Sequence, residues 1–392
     1  MQPSRATWLT AALLLVCSLT FASWAAGQLM IVGNDEKVGW DDAGKVVVRA
    51  PGKDTISIVD IGNRESPRIV ASLSLMNSVF GPPTNLQITP DGRLALVANS
   101  FDVVQDGGAW KNVPDNKLYV IDLTTSPPAH IATVEVGKQP SGLAINRAGD
   151  LALVTNRADN SISVLSIQGK EVKLIDTVPM GEMVAAVAIT PDGKRAFAVK
   201  FPGHKVAMLE IEGQKVTYTK YDMPVGLWPY NIDITPNGKL ALTADNGNAG
   251  SSDGHVDTVS VIDLEASPPR VIDRVVVGDA PEGFAISPTG EIAVAILLNG
   301  SAAVPKNAWF ANKAGKVAVL KIDGKKVTKV GEVEVGGLPE GVVFSPDGKY
   351  IYVGNYTDRD VSILKVDGTR VTNTGRRFTL PGQPASMRGA AR

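Results

Sequence analysis

The sequence predicts an all-β fold: a seven-bladed β-propeller of four-stranded antiparallel blades, its ring closed by a C-terminal clasp strand. Three observations carry that prediction. A phrase made of a strand, a tight turn and a second strand returns along the chain, and two further strand-like runs follow each copy. No segment beyond the first residues sustains an apolar helical period, and turn signals come too often for helices.

At the start of the chain, Arg5, the apolar stretch from Trp8 to Phe21 and the small residues Ala25 and Ala26 read as a secretory signal, residues 1–26, cleaved after one of those alanines. The stretch is short for a membrane span, which needs roughly 20 apolar residues. The expected mature chain, residues 27–392, is one exported domain, periplasmic or secreted, monomeric and without a membrane span. Cys17 is the only cysteine. Val16 ahead of it argues against lipidation, and its loss with the leader removes disulfides, thiolate metal sites and cysteine nucleophiles. With 39 basic and 40 acidic residues the formal charge is -1, which offers no electrostatic basis for binding nucleic acid or an anionic membrane. A hydrophobic content of 44% over 392 residues suffices for a large core.

The repeated phrase reads "NLQITPDGRLALVANS" from residue 85, "GLAINRAGDLALVTNR" from 142, "AVAITPDGKRAFAVKF" from 186, "NIDITPNGKLALTADN" from 231, "GFAISPTGEIAVAILL" from 283 and "GVVFSPDGKYIYVGNY" from 341. A degenerate first copy is expected in "KVGWDDAGKVVVRAPGKDTISIVDI" from Lys37. The spacing, roughly 45 to 58 residues, suits propeller blades. In the copies from 85, 186, 231, 283 and 341 the proline presets one turn dihedral and the glycine tolerates the next. Third strands follow as "SISVLSI" or "DVSILKV", and fourth strands as "RVIDRVVVG" or "KVGEVEVGG". Ile162 and Val164 fall on one side of their strand and Leu165 and Ile167 on the other, as a sheet packed between two neighbours requires. The C-terminal "FTLPGQPASMRG" repeats the passage from one blade into the next, so it is expected to complete the blade begun by residues 29–48.

The phrases "LVTN", "YVGN" and "LVAN" followed by "ISVLSI"-like strands resemble the YVTN family of β-propeller repeats, over essentially the whole mature chain. Propellers in this broad group include 6-phosphogluconolactonase-like and carboxymuconate-lactonizing proteins and the haem-bearing propeller of nitrite reductase. The resemblance implies the fold; activity it does not settle. A lactonizing enzyme of that kind is expected to use a histidine with acidic and arginine partners. Only His130, His204 and His255 are present, outside the loop phrases expected at the pore mouth. No catalytic histidine is therefore carried over, and a bis-histidine haem site is disfavoured.

Candidate chemistry sits where first strands converge. Aligned copies place Thr84, Ser141, Ala185, Tyr230, Glu282, Glu340 and Ala385 at one equivalent position. The turns after the second strands offer Arg49, Asn99, Asn156, Lys200, Asp245 and Asn355, with Arg157 and Tyr356 just beyond. Glu282 and Glu340, in adjacent blades, would raise each other's pKa and supply an acid or base for a hydrolase, or hold a divalent metal ion. A solvated turn glutamate is the bland alternative. Three insertions, 100–116, 245–257 and 298–315, carry Trp110, Trp309 and neighbouring aromatics on the same expected face. The oxygen-rich 245–257 loop lacks the ordered spacing of an EF-hand. The leading expectation is a binding or interaction module that recognises a small molecule or a periplasmic protein on that face. A lactonase-like hydrolase and an accessory subunit of a periplasmic redox enzyme stay open.

Overall fold

The computed structural model describes residues 28–391, so the expected signal peptide and Cys17 lie outside the described residues. Seven four-stranded antiparallel sheets follow one another around a ring. In blade 3 the order from axis to rim is Pro140–Ile145, Leu151–Asn156, Ser161–Gln168, Glu171–Pro179, and the other blades repeat it. Among the described residues no helix is long and apolar enough to cross a membrane.

The double-sided strands are what hold neighbouring blades together. Ile162 and Val164 pack into a cluster with Val184, Ala196 and Leu209 of blade 4. Leu165 and Ile167, on the opposite face, join Leu94, Leu118 and Val120 of blade 2. Each such side chain, fully buried, contributes about 1.5–3 kcal/mol, so every blade draws its stability from both neighbours.

The recurring turn phrase has two physical jobs. Locally, the Thr89 hydroxyl donates to Asp91 Oδ1 at 2.6 Å and accepts the Leu94 N–H at 3.0 Å, and Thr190 and Thr235 repeat the arrangement. Between blades, the turn glycine lies against the turn proline of an earlier blade: Gly238 faces Pro191, Gly290 faces Pro236 and Gly348 faces Pro288. Those glycines have φ near +70°, where a side chain is strained, so the phrase fixes both the turn and the blade-to-blade contact.

Ring closure comes from the C-terminal strand, as the repeated "PGQPAS" phrase predicts. Pro384–Arg388 pairs antiparallel with Leu29–Asn34 and becomes the innermost strand of blade 1, whose remaining strands are Thr55–Asp60 and Arg68–Leu73. The degenerate first copy is corrected by the structure. Val38–Trp40 and Val46–Val48 do form a strand-turn-strand hairpin, but a separate two-stranded one inserted between the second and third strands of blade 1. Asn34, not Arg49, consequently ends the second strand; Arg49 is exposed at the end of the inserted hairpin.

Deleting residues 384–391 should strip blade 1 of its inner strand and expose the sides of blade 7 that Met387 covers. The expected result is a melting temperature lowered by roughly 10 °C or more, or failure to fold. Circular dichroism melting of the truncated chain checks it, and an unchanged melting curve would disprove closure by the clasp.

Candidate functional site

Inner strands carry the side chains that face the axis, and the backbone aims them there. In blades 3 to 7 the pairing register between first and second strands slips just after the first residue, at Pro140, Val184, Pro229, Pro281 and Pro339. Such a bulge turns the intervening side chain out of the ladder. Ser141, Tyr230, Glu282 and Glu340 occupy those slips, and the glycine after each glutamate is needed for space. A methyl group on Gly283 would overlap the Glu340 carbonyl, and one on Gly341 would overlap Met387.

The structure therefore brings Thr84, Ser141, Tyr230, Glu282 and Glu340 to the axis, but it also closes the face above them. Residues 74–85, linking blades 1 and 2, run over the funnel, and the Gly81 N–H donates to Tyr230 Oη at 3.1 Å, from that link to blade 5. Val38, Val79, Ala280, Leu298, Leu338, Tyr356 and Ala385 form an apolar lid with Trp40 and Phe80. A fully buried Lys37 anchors the link: its ammonium lies 2.6 Å from Asp54 and 3.2 Å from Asp35 and also donates to the Asn77 carbonyl. Tyr356, 0% exposed, donates to the Val38 carbonyl at 3.0 Å and belongs to this lid.

Under the lid Glu282 and Glu340 are 4% and 3% exposed. Burial pushes Glu282 up to about 8, against the pull of Arg157, and burial followed by repulsion from Glu282 holds Glu340 well above the usual carboxylate range. Asn246 Nδ2 donates to Glu282 Oε1 at 3.2 Å, whereas Glu340 Oε2 has no hydrogen-bond partner among the described residues. The Arg157 guanidinium sits 5.7 Å from the centre of the Phe201 ring. The pair is chemically an acid couple that burial favours in the protonated form, with little surface exposed beneath the lid residues. Among the described residues no cluster of three or more metal-ligating His, Cys, Asp or Glu side chains occurs.

The residues ending the second strands have a different job from the axial ones: they tie the second strand to the third or, for Lys200, to the fourth. Asn156 Nδ2 donates to Ser161 and Ser163 hydroxyls at 3.0 and 2.9 Å. Asn355 Nδ2 donates to Asp360 and Ser362 at 2.6 and 2.9 Å, and Asn34 does the same with Thr55 and Ser57. Asp245 inverts the polarity and accepts from Thr258 and Ser260; burial raises its pKa to about 6. Asn99 bonds Asp115 at 2.7 Å, and Lys200 bonds Tyr218 and Asp222 at 2.7 and 2.8 Å. The signal was present in "LVTNRADNSISV", where the asparagine and its two serines share one phrase.

The insertions do form a continuous structure, with a member that sequence reading placed elsewhere. The Val46–Val48 strand packs on the Ala109–Asp122 strand of blade 2, which carries the half-buried Trp110. The other end of that hairpin reaches blade 6, where Lys306 pairs with Asp42 at 2.6 Å and its N–H donates to the Asp42 carbonyl at 3.0 Å. Ser252 then joins the 245–257 loop to the blade 6 insertion by accepting the Gly300 N–H at 2.8 Å. Trp309 stands on this arc 78% exposed, its ring edge against Gly254 and 5.4 Å from Phe310. Leu227 and Val256, also exposed, lie on the same stretch of rim. His204, on this face, accepts the Trp228 N–H at 2.9 Å and packs edge-on against that ring.

No family model matches the sequence, and no curated protein is significantly similar to it. Solved structures are similar in fold. A putative 6-phosphogluconolactonase from Bacteroides uniformis superposes with a TM-score of 0.69 at 17% identity, covering 92% of this chain and 98% of its own. A periplasmic gluconolactonase from Pseudomonas aeruginosa gives 0.66 at 17% identity over the same shares. Hydrazine synthase from Kuenenia stuttgartiensis gives 0.55 at 21% identity, covering 74% of this chain and 79% of that one. At these identities the likeness establishes the seven-bladed propeller architecture and nothing narrower.

The raised carboxyls fix a pH dependence. The folded state holds protons on Glu282 and Glu340 that the unfolded chain gives up near its ordinary 4.5, so stability falls as pH rises from about 4.5 to about 8. Each group contributes at most about 1.4 kcal/mol per pH unit in that window. Asp245 and Asp257, raised to about 6 and 7, add to the slope. Glu340→Gln should flatten the slope and be more stable than wild type at pH 8; denaturant midpoints at pH 5 and 8 for both proteins measure it, and parallel slopes would count against the buried pair. Asn156→Ala should cost about 1–3 kcal/mol in the same assay by stranding two serine hydroxyls.

Proposed function

We propose that this chain is an exported propeller that binds a protein partner through the arc of insertions on its lidded face. The observation that carries the reading is Trp309: a large aromatic left exposed on a loop held by Ser252, Asp42 and Gly254 rather than free to fold down. Exposing such a ring forgoes burial worth several kcal/mol, and rigid exposed tryptophans are typical anchors of protein interfaces. Leu227 and Val256 extend the apolar surface beside it, in keeping with an interaction patch. The leader read in the first residues supports the exported location, and the repeat phrases support kinship with YVTN-type propellers. An accessory subunit of a periplasmic redox enzyme is one form such a module takes.

The lactonase-like alternative needs Glu282 and Glu340 to meet substrate from the insertion face, and the lid over them speaks against it. Recognition of a small molecule on that face meets the same obstacle.

The test uses the chain from residue 27 immobilised as wild type and as Trp309→Ala, with soluble extract of its source cell passed over both. A partner retained by wild type and released at least about tenfold more readily by the variant, whose melting temperature stays within about 2 °C, is the expected outcome. Equal retention by both proteins would refute the role of this surface.

A further inference from the structure

The axis closed from one face is accessible to a channel from the other. Below the ring of axial residues a cavity of about 150 Å³ runs to the face built by the strand-turn-strand hairpins, lined by Thr84, Asn231, Asp233, Arg147 and Arg388 among apolar inner-strand side chains. Of these only Thr84 was singled out from sequence, as a member of the axial ring.

Two features of the lining ask for a ligand. At the inner end, Asn231 is 2% exposed and its amide nitrogen has no hydrogen-bond partner among the described residues; the Thr84 hydroxyl has none among them either. The amide cannot simply be turned round, because Asn231 Oδ1 already accepts the Ile232 N–H at 2.9 Å. A buried donor left unmade costs about 1–3 kcal/mol, so an acceptor in the channel satisfies a standing need. Toward the mouth stand two guanidinium groups. Arg388 reaches from the clasp strand to the Leu143 carbonyl of blade 3 at 2.8 Å, and Arg147 reaches from blade 3 to the Pro236 carbonyl of blade 5 at 3.4 Å. Asp233 is the carboxylate of the lining; it accepts the Ile286 N–H at 3.1 Å, and its charge partly offsets the burial that lowers the Arg388 pKa below its usual value. Two positive charges against one negative leave the channel with an excess of one positive charge, in walls that are largely apolar.

We propose that the axial channel binds a small monoanionic hydroxycarboxylate. Its carboxylate meets Arg388 and Arg147, whose planar donors suit that group and which stay charged when desolvated. Its hydroxyl oxygen accepts from the Asn231 amide and exchanges a hydrogen bond with Thr84. The volume holds several water-sized groups, which limits the ligand to a few carbons. The site lies on the face opposite Trp309 and is independent of the interaction proposed there.

The experiment is isothermal titration calorimetry and thermal shift on the whole chain from residue 27, with sodium lactate, glycerate, acetate, phosphate and chloride at matched ionic strength. Lactate or glycerate is expected to bind one site with a dissociation constant below about 1 mM and to raise the melting temperature, with acetate weaker and chloride silent. Arg147→Gln, at an exposed residue, and Asn231→Ala are each expected to weaken binding at least about tenfold, while Trp309→Ala leaves it unchanged. Absence of saturable binding by either hydroxycarboxylate, or equal affinity in wild type and both channel variants, overturns the proposal. Preference for phosphate over the carboxylates overturns the ligand class.

Discussion

Closure of the ring is the constraint on which the rest of this structure depends. Each blade is apolar on both faces, so an open row of blades would leave two large hydrophobic sheets facing water. Pairing Pro384–Arg388 with Leu29–Asn34 removes that edge and makes blade 7 and blade 1 ordinary neighbours. The phrase that recurs through the chain serves the same end, since its proline and glycine make the hairpin turn and the contact between adjacent hairpins.

Closing a ring creates an axis, and the inner strands cannot fill it with apolar side chains alone. Polar residues therefore meet there at two levels. The upper level, with Glu282 and Glu340, is shut off by a lid that depends on the buried Lys37 ammonium between Asp35 and Asp54. Removing one partner from such a cluster strands a buried charge, which is why lid and link form one unit with the blade 1 insertion. The lower level stays accessible, and it holds the two arginines. The two faces of the disc thus differ in kind: one is sealed and presents an aromatic anchor, the other leads inward to positive charge.

The blades were legible because their determinants are local. Turn chemistry, strand alternation and the clasp phrase are written within a few residues of where they act, and even the misplaced first copy is a real hairpin, since "WDDAGK" encodes the same turn whatever sheet receives it. The site was less legible because its determinants are long-range. Gly81 meets Tyr230, and Arg388 meets Leu143, between blades that are far apart in the chain, and no local pattern announces either contact. Alignment correctly gathered Glu282 and Glu340 at the axis but could not show the lid above them. Asn156 and Asn355 looked like loop residues open to a ligand, although the serines that occupy them stand in the same phrase. Asp233, the one carboxylate in its inner strand, was the visible trace of the channel.

The clasp also imposes an order on biosynthesis. The strand that shields Leu29–Asn34 follows all the other blades in the chain, so the first blade stays an unfinished sheet with a bare edge while every other blade is being synthesised. A chain in that condition cannot lock prematurely. The ring becomes complete only once Pro384–Arg388 meets Leu29–Asn34.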